Sequence, residues 1–267
     1  MKIDHKSSYK DFGEQFTKDK KIDGYWGGIE LLKDIVYPFK LSNIKNKKIM
    51  EVGTGSGRIL KNLIKFSPKH ITGVEPSNAI KVAKKNIGLN KVTFLNIKGE
   101  DINFNEKFDF IFSLGVIHHI PQYEIVLKNI SKSLKKNGKF IIWVYGKEGN
   151  EIYLIIFNNL RRLTMLFPDF ILRILCHLLN LFTYLYEFLC IFFPLPMKNY
   201  FLKVFKTFSF EKRSYVIFDQ LNPSYSKYFK KNELIDVLKK NGFKKIKINH
   251  RHGYSWTAIA EKKCRPR

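Results

Sequence analysis

Lys48-Ile49-Met50-Glu51-Val52-Gly53-Thr54-Gly55-Ser56-Gly57-Arg58 is the stretch from which the fold can be read. An apolar run ends in a carboxylate, glycines follow at alternate positions, and Ile59, Leu60, Leu63 and Ile64 then recur at helical spacing. The pattern predicts a strand, a tight loop and a helix. The glycines let the backbone turn with positive φ and lie close against a ligand. The helix N-terminus points its N–H groups into the same loop.

Spacing separates the kinds of glycine loop. A dinucleotide fingerprint needs a small residue at position 58, which is Arg, and a phosphate loop needs a Lys-Ser or Lys-Thr pair that is missing here. What stands in their place is E-x-G-x-G-x-G. This resembles the first motif of the class I S-adenosylmethionine-dependent methyltransferases, and the resemblance extends over about 45–146 and 229–262. It implies that Glu51, Gly53, Thr54, Gly55 and Gly57 hold the amino-acid end of S-adenosylmethionine, with Glu51 placing the ammonium group.

Further along, Ile71 to Val74 reads as a second strand ending at Glu75, 22 positions beyond Gly53. One strand-loop-helix-strand unit covers that distance, so Glu75 stands at the end of the neighbouring strand, where a carboxylate can accept from both hydroxyls of a ribose. Pro76 starts the following turn. A third strand, Val92 to Ile97, runs into Gly99-Glu100-Asp101-Ile102. The resemblance implies that an acid here meets the adenine amino group. Glu100 and Asp101 are both candidates, and the family habit of an acid just before an apolar residue favours Asp101.

Phe108 to Phe112 forms the fourth strand and leads into Ser113-Leu114-Gly115-Val116-Ile117-His118-His119. This resembles the fourth motif of small-molecule methyltransferases, which implies that Ser113 and Gly115 touch the cofactor and that His118 and His119 lie beside the reacting methyl group. Histidine suits a general base near neutral pH, so both are catalytic candidates. No metal is expected. Tyr225, His250, Arg251 and His252 are further candidates to meet substrate. A helix from Ile125 to Leu134 with a stop at Gly138, then a strand from Lys139 to Tyr145, complete the alternation. The fold class is α/β: a Rossmann-like, doubly wound seven-stranded sheet with an antiparallel last strand, plus an inserted helical cap.

The chain divides into a helical lead-in (1–45, with Trp26 as a packing aromatic), the cofactor-binding core (46–146), an apolar helical cap (147–228) and a closing helix and strand pair (229–267). In the last part Asn232 is the expected N-cap of a helix from Glu233 to Lys240. Strand six, Ile246 to Asn249, is expected to pair with Tyr254 to Ala260 across a short turn. In the cap the longest charge-free run, Ile174 to Tyr186, is 13 residues, short of the roughly 20 that span a bilayer. Pro168, Pro194 and Pro196 break the region into separate helices. A surface resting on lipid through 151–206 is the rival reading of this cap.

The net charge of +25 points toward nucleic acid or an anionic membrane. However, 40 of the 48 basic residues are Lys, spread along the whole chain, which reads as compositional bias. Cys176, Cys190 and Cys264 offer no metal spacing and no disulfide framework, and Met1 to Lys6 carries no apolar signal segment. The expectation is a cytoplasmic enzyme, placed at the inner face of the membrane if the apolar surface rests on lipid. It would be an S-adenosylmethionine-dependent methyltransferase acting on a hydroxyl of a small-molecule, glycan or lipid-linked acceptor, with nucleic acid unfavoured. The alternatives are an RNA methyltransferase, and a protein that binds S-adenosylmethionine without catalysis. The Asn222-Pro223-Ser224-Tyr225 segment does not count as the Asn-Pro-Pro-Tyr motif of base methyltransferases, because that motif belongs at the end of strand four.

Overall fold

In the computed structural model the described residues are 28–88, 92–164, 167–221 and 225–263, together with Gly13 and Thr17. Trp26, the segment 222–224 and Cys264 lie outside them. Chain order runs α1 (Ile29–Val36), β1 (Lys48–Val52), α2 (Arg58–Ile64), β2 (His70–Val74), α3 (Ala79–Ile87), β3 (Val92–Leu95), β4 (Phe108–Leu114) and α4 (Tyr123–Ser133). It continues with β5 (Leu134–Tyr145), α5 (Glu151–Thr164), α6 (Asp169–Phe192), α7 (Lys198–Lys203), α8 (Phe210–Leu221), α9 (Lys231–Lys240), β6 (Phe243–Arg251) and β7 (Ser255–Lys262).

Among the described residues the sheet has seven strands in the order β3-β2-β1-β4-β5-β7-β6. β1 to β5 pair in parallel, whereas β7 lies antiparallel between β5 and β6. The chain leaves β1 toward β2 on one side and comes back to β4 on the other, so the winding reverses between β1 and β4. A crevice opens at that point, beyond the carboxyl ends of the strands. Alternate strand residues go to opposite faces. Ile49, Phe112, Ile141 and Trp143 join the apolar layer that contains α1 and α8, while Met50, Val52, Ile111 and Ile142 join the layer that contains α4 and α9. Burial on both faces explains the nearly continuous apolar strands.

Several boundaries differ from expectation. The expected helix stop at Gly138 falls inside β5, where Asn137 takes φ 61° and the extra residues bulge between the pairs Phe108–Leu134 and Phe110–Lys139. α9 starts at Lys231 rather than after Asn232, and the Glu233 carboxylate accepts the Lys230 N–H at 3.3 Å. The prolines end helices as expected, but α6 is one helix of 24 residues. Its span Phe170–Phe192, at mean hydropathy 1.6, is long and apolar enough to cross a membrane by length and composition, and only 22% of it is buried. This corrects the expectation of fragments too short to do so.

One face of α6 packs on α8, and its polar residues are gathered there. Asn180 Nδ2 donates to the Phe210 carbonyl (2.7 Å) and to Ser214 Oγ (2.8 Å). Glu187 pairs with Arg213 at 2.9 Å, both side chains less than a tenth exposed. A buried pair resists the loss of one partner far more than replacement of both. Arg213→Met should therefore lower stability by about 3 kcal/mol in chemical denaturation, and the double variant with Glu187→Leu should recover most of that loss.

Candidate active site

The crevice at the winding reversal is a cleft of about 130 Å³. It is lined by Gly53, Thr54, Gly55 and Arg58 from the first loop and helix, Glu75 and Pro76 after β2, and Gly99 after β3. Gly115, Val116 and His119 line it after β4, Trp143 and Tyr145 on β5, and Asp219 on α8. Strand order brings the loops after β1, β2, β3 and β4 to one place, and α8 adds Asp219.

The first loop is held by its backbone. Gly53 and Thr54 N–H both donate to the Val74 carbonyl, at 2.8 and 3.0 Å, bending the chain across the end of β2. Gly53 has φ 83°, and a Cβ there would sit 2.3 Å from Val116 Cγ2. Gly57 is the left-handed N-cap residue of α2, packed so closely on Ile87 that a Cβ would stand 2.5 Å away. Gly57 therefore shapes the loop without lining the cleft.

The carboxylates differ sharply. Glu51 is buried, its Oε2 has no hydrogen-bond partner, and burial pushes its pKa up to about 8. A buried acid with one unpartnered oxygen beside a glycine loop fits a ligand ammonium, which would supply the missing donor and charge. Glu75 accepts from Gly55 N–H at 2.9 Å through Oε2, and from the Ser77 N–H (3.0 Å) and hydroxyl (2.6 Å) through Oε1. Oε1 thus accepts two bonds and Oε2 one, so these bonds orient Glu75 and leave an Oε2 lone pair able to accept from a ribose. Gly99, Glu100 and Asp101 form one 3-10 turn, in which successive side chains diverge by about a third of a circle. Glu100 is half-buried, with its carbonyl accepting from Asn129 at 2.6 Å, whereas Asp101 is exposed. Burial separates the two acids, and the cleft itself reaches this turn at Gly99.

Ser113 is not in the cleft. It is fully buried, and its hydroxyl donates to the Val52 carbonyl at 3.2 Å, tying β4 to β1. The two histidines share the 3-10 turn Ile117–His119 and separate in the same way. His118 is fully buried, neither ring nitrogen has a hydrogen-bond partner, and its ring centroid lies 4.0 Å from Tyr145 and 4.2 Å from His119. Burial holds its pKa well below the usual range, so it is neutral. His119 lines the cleft, with Nδ1 2.9 Å from the Tyr225 carbonyl. A carbonyl only accepts, so Nδ1 carries the proton and Nε2 the lone pair of the neutral ring.

Residues from the closing strand pair do not reach the cleft. Arg251 and His252 both bond Asp34 on α1, His252 Nε2 at 3.0 Å, and His250 stacks on Trp256 with centroids 4.0 Å apart. They pin the β6–β7 turn to α1, which corrects the expectation of a substrate role. Conversely, sequence reading missed Arg58, Trp143, Tyr145 and Asp219. The end of β5 lies one strand beyond β4, so Tyr145 could have been found from strand order. Asp219 had no local signal. Tyr145 is itself held by Gln220 Nε2 at 3.0 Å.

Residues 50–142 match the methyltransferase domain family. The chain is 26% identical over 145 residues to the tRNA U34 carboxymethyltransferase of Aliarcobacter butzleri, covering 50% of this chain and 44% of that protein. It is 32% identical over 141 residues to that of Campylobacter lari, covering 50% and 47%. The chain thus spans less than half the length of the curated relatives it matches. Among solved structures, a chain of the complex between the Haloferax volcanii Trm112 methyltransferase activator and a methyltransferase superposes with TM-score 0.61 at 12% identity, covering 98% of this chain and 100% of that one. The Burkholderia thailandensis 1,6-didemethyltoxoflavin-N1-methyltransferase, with bound S-adenosylhomocysteine, superposes at 0.53 and 13%, covering 96% and 87%.

The relatives' name overturns two expectations. The curated relatives are named for tRNA, which runs against the expected small-molecule, glycan or lipid-linked acceptor and against the expectation that nucleic acid is unfavoured. The net charge of +25, read above as compositional bias, has a polyanionic partner as its other physical reason.

Glu51 yields a pH test on the protein alone. Its folded pKa of about 8 exceeds the ordinary 4.5, so the folded state holds a proton that the unfolded state releases. Stability is therefore lost as pH rises from about 4.5 to about 8. Glu51→Gln should raise stability at pH 8 by on the order of 3 kcal/mol and leave it unchanged at pH 4, as read by denaturant titration at both pH values.

Proposed function

We propose that this chain, whose residues 50–142 form a class I S-adenosylmethionine-dependent methyltransferase domain, transfers the alkyl group of the sulfonium cofactor to a uridine of tRNA. The acceptor rests on one observation, the shared name of the curated relatives. A net charge of +25 supports it, because phosphate binding draws on lysine and arginine. A tRNA acceptor places the activity in the cytoplasm.

When bound, S-adenosylmethionine supplies an alkyl group already activated on sulfur, so the protein has mainly to align the partners and exclude water. Glu51 would hold the ammonium group, Glu75 the ribose hydroxyls and Glu100 the adenine amino group, with the backbone of Gly53 to Gly55 against the amino-acid end. His119 Nε2 takes the proton released by the acceptor base, and the Tyr225 carbonyl keeps Nδ1–H in place as the ring becomes charged. His118, neutral and buried, packs against His119 and Tyr145 and fixes their rings. Trp143 and Tyr145 wall the side of the cleft next to β5. We read residues 147–228 as a helical cap that brings Asp219 to the same cleft.

Two measurements test this reading. Calorimetric titration with S-adenosylmethionine near pH 7, in buffers of different ionisation heat, should show release of about one proton, as Glu51 ionises against the ammonium; Glu51→Gln should abolish the release. Incubation with S-adenosylmethionine and unmodified tRNA should give an alkylated uridine by nucleoside mass spectrometry. His119→Gln should lower that rate by roughly 10²- to 10⁴-fold with cofactor affinity nearly unchanged. Tight cofactor binding without transfer to any RNA would remove the RNA acceptor.

A further inference from the structure

The cleft lies at one end of the sheet, and the opposite end has a distinct chemistry. There six neighbouring strands each carry a lysine at or next to their terminus: Lys69 at β2, Lys48 at β1, Lys107 at β4, Lys135 at β5, Lys262 at β7 and Lys244 at β6. β7 runs in reverse, so its lysine is at its end while the others are at or near a start. Strands are spaced about 4.8 Å apart, so the row is roughly 24 Å long.

The row is continuous in space. Lys48 pairs in register with His70, and the Lys69 N–H donates to the Lys47 carbonyl. Asp109 accepts from the Lys48 N–H and pairs with Lys135 at 2.8 Å. Lys262 Nζ donates to the Leu134 carbonyl at 2.7 Å. The carboxylates of this end, Asp109, Glu106 and Glu261, are each already paired to lysine. Titratable groups along it report a positive surrounding. His70 is held below its usual range by burial and then by Lys107 and Lys48. Burial would raise Asp109, yet the bond from Lys135 and the Lys48 N–H hold it below the ordinary carboxylate range.

We propose that this lysine row is a docking surface for the phosphate backbone of the acceptor RNA. The inference rests on the tRNA reading above. Lysines at six successive strand ends, of which Lys135, Lys262 and Lys244 are ion-paired, form a row that complements a linear polyanion. An anionic bilayer fits less well, because a lipid-resting surface combines charge with apolar side chains. The exposed large apolar residues lie mainly on α5 and α6 instead. Reach is not an obstacle, because the two ends of the sheet are about 17 Å apart along the five residues of β1 and about 26 Å apart along the eight of β7. RNA whose base enters the cleft can run down the side of the domain to the row.

The test compares two triple variants with equal charge change. Lys48→Glu, Lys69→Glu and Lys107→Glu remove part of the row. Lys198→Glu, Lys203→Glu and Lys206→Glu change the surface on and beside α7. Binding of unmodified tRNA is measured by fluorescence anisotropy from about 0.05 to 0.3 M salt, with S-adenosylmethionine titration as the check on fold. The row variant should bind tRNA at least tenfold more weakly at 0.1 M salt and lose about 2 to 3 from the salt slope. The α7 variant should change less than threefold. Should the glutamate row variant lose cofactor binding, the same three positions as glutamine replace it, with a smaller loss in the same direction expected. Equal weakening in both triples, or an unaffected row variant while wild type binds tRNA, overturns the docking surface and leaves the tRNA reading standing. Loss by the row variant of binding to phosphatidylglycerol vesicles, with tRNA binding intact, also overturns it and assigns the row to lipid. No tRNA binding by wild type sinks both readings.

Discussion

Two backbone hydrogen bonds, from Gly53 and Thr54 N–H to the Val74 carbonyl, fold the first loop over the end of β2. The rest of the site depends on that fold. It brings Gly55 N–H onto Glu75 Oε2 and so orients the second carboxylate. It also presses Gly53 against Val116, at a distance that excludes any side chain. Val116 begins the turn that carries His118 and His119, so the loop after β1 and the loop after β4 set each other's position. Glycine at 53 is thus required twice, by φ and by contact.

Burial without a partner gives the cleft its electrostatic character. Glu51 and His118 are both enclosed, and burial favours the neutral form of each. They differ in consequence. Glu51 stands beside the glycine loop, where a cation can replace its proton, whereas His118 lies behind His119 and Tyr145, where aromatic rings surround it. The same turn therefore yields one histidine packed among rings and one that lines the cleft. The tautomer of the second follows from a single carbonyl, that of Tyr225.

The molecule divides its surface by chemistry. Polar groups of α6 face α8 and are satisfied there by Ser214, Phe210 and Arg213, which leaves large apolar side chains on the outer side. Lysines gather at the end of the sheet away from the cleft. Neither distribution is visible as a run in the chain. Lysines that are scattered in sequence meet because parallel strands all start at one end.

Local patterns in the chain were enough for the strand-loop-helix at 48–64, the place of Glu75 one unit later, the alternation of strands and helices, and the reversed strand that closes the sheet. These are local patterns: glycine spacing, apolar periodicity and short turns act within a few residues. Adjacent residues were harder. Local pattern does not separate Glu100 from Asp101 or His118 from His119, because each pair shares a tight turn whose successive side chains diverge. Only the tertiary structure withdrew Ser113, His250, Arg251 and His252 from the cleft, and only it supplied Arg58, Tyr145 and Asp219. Contacts such as that of His119 with Tyr225, 106 positions apart, are encoded by no local pattern.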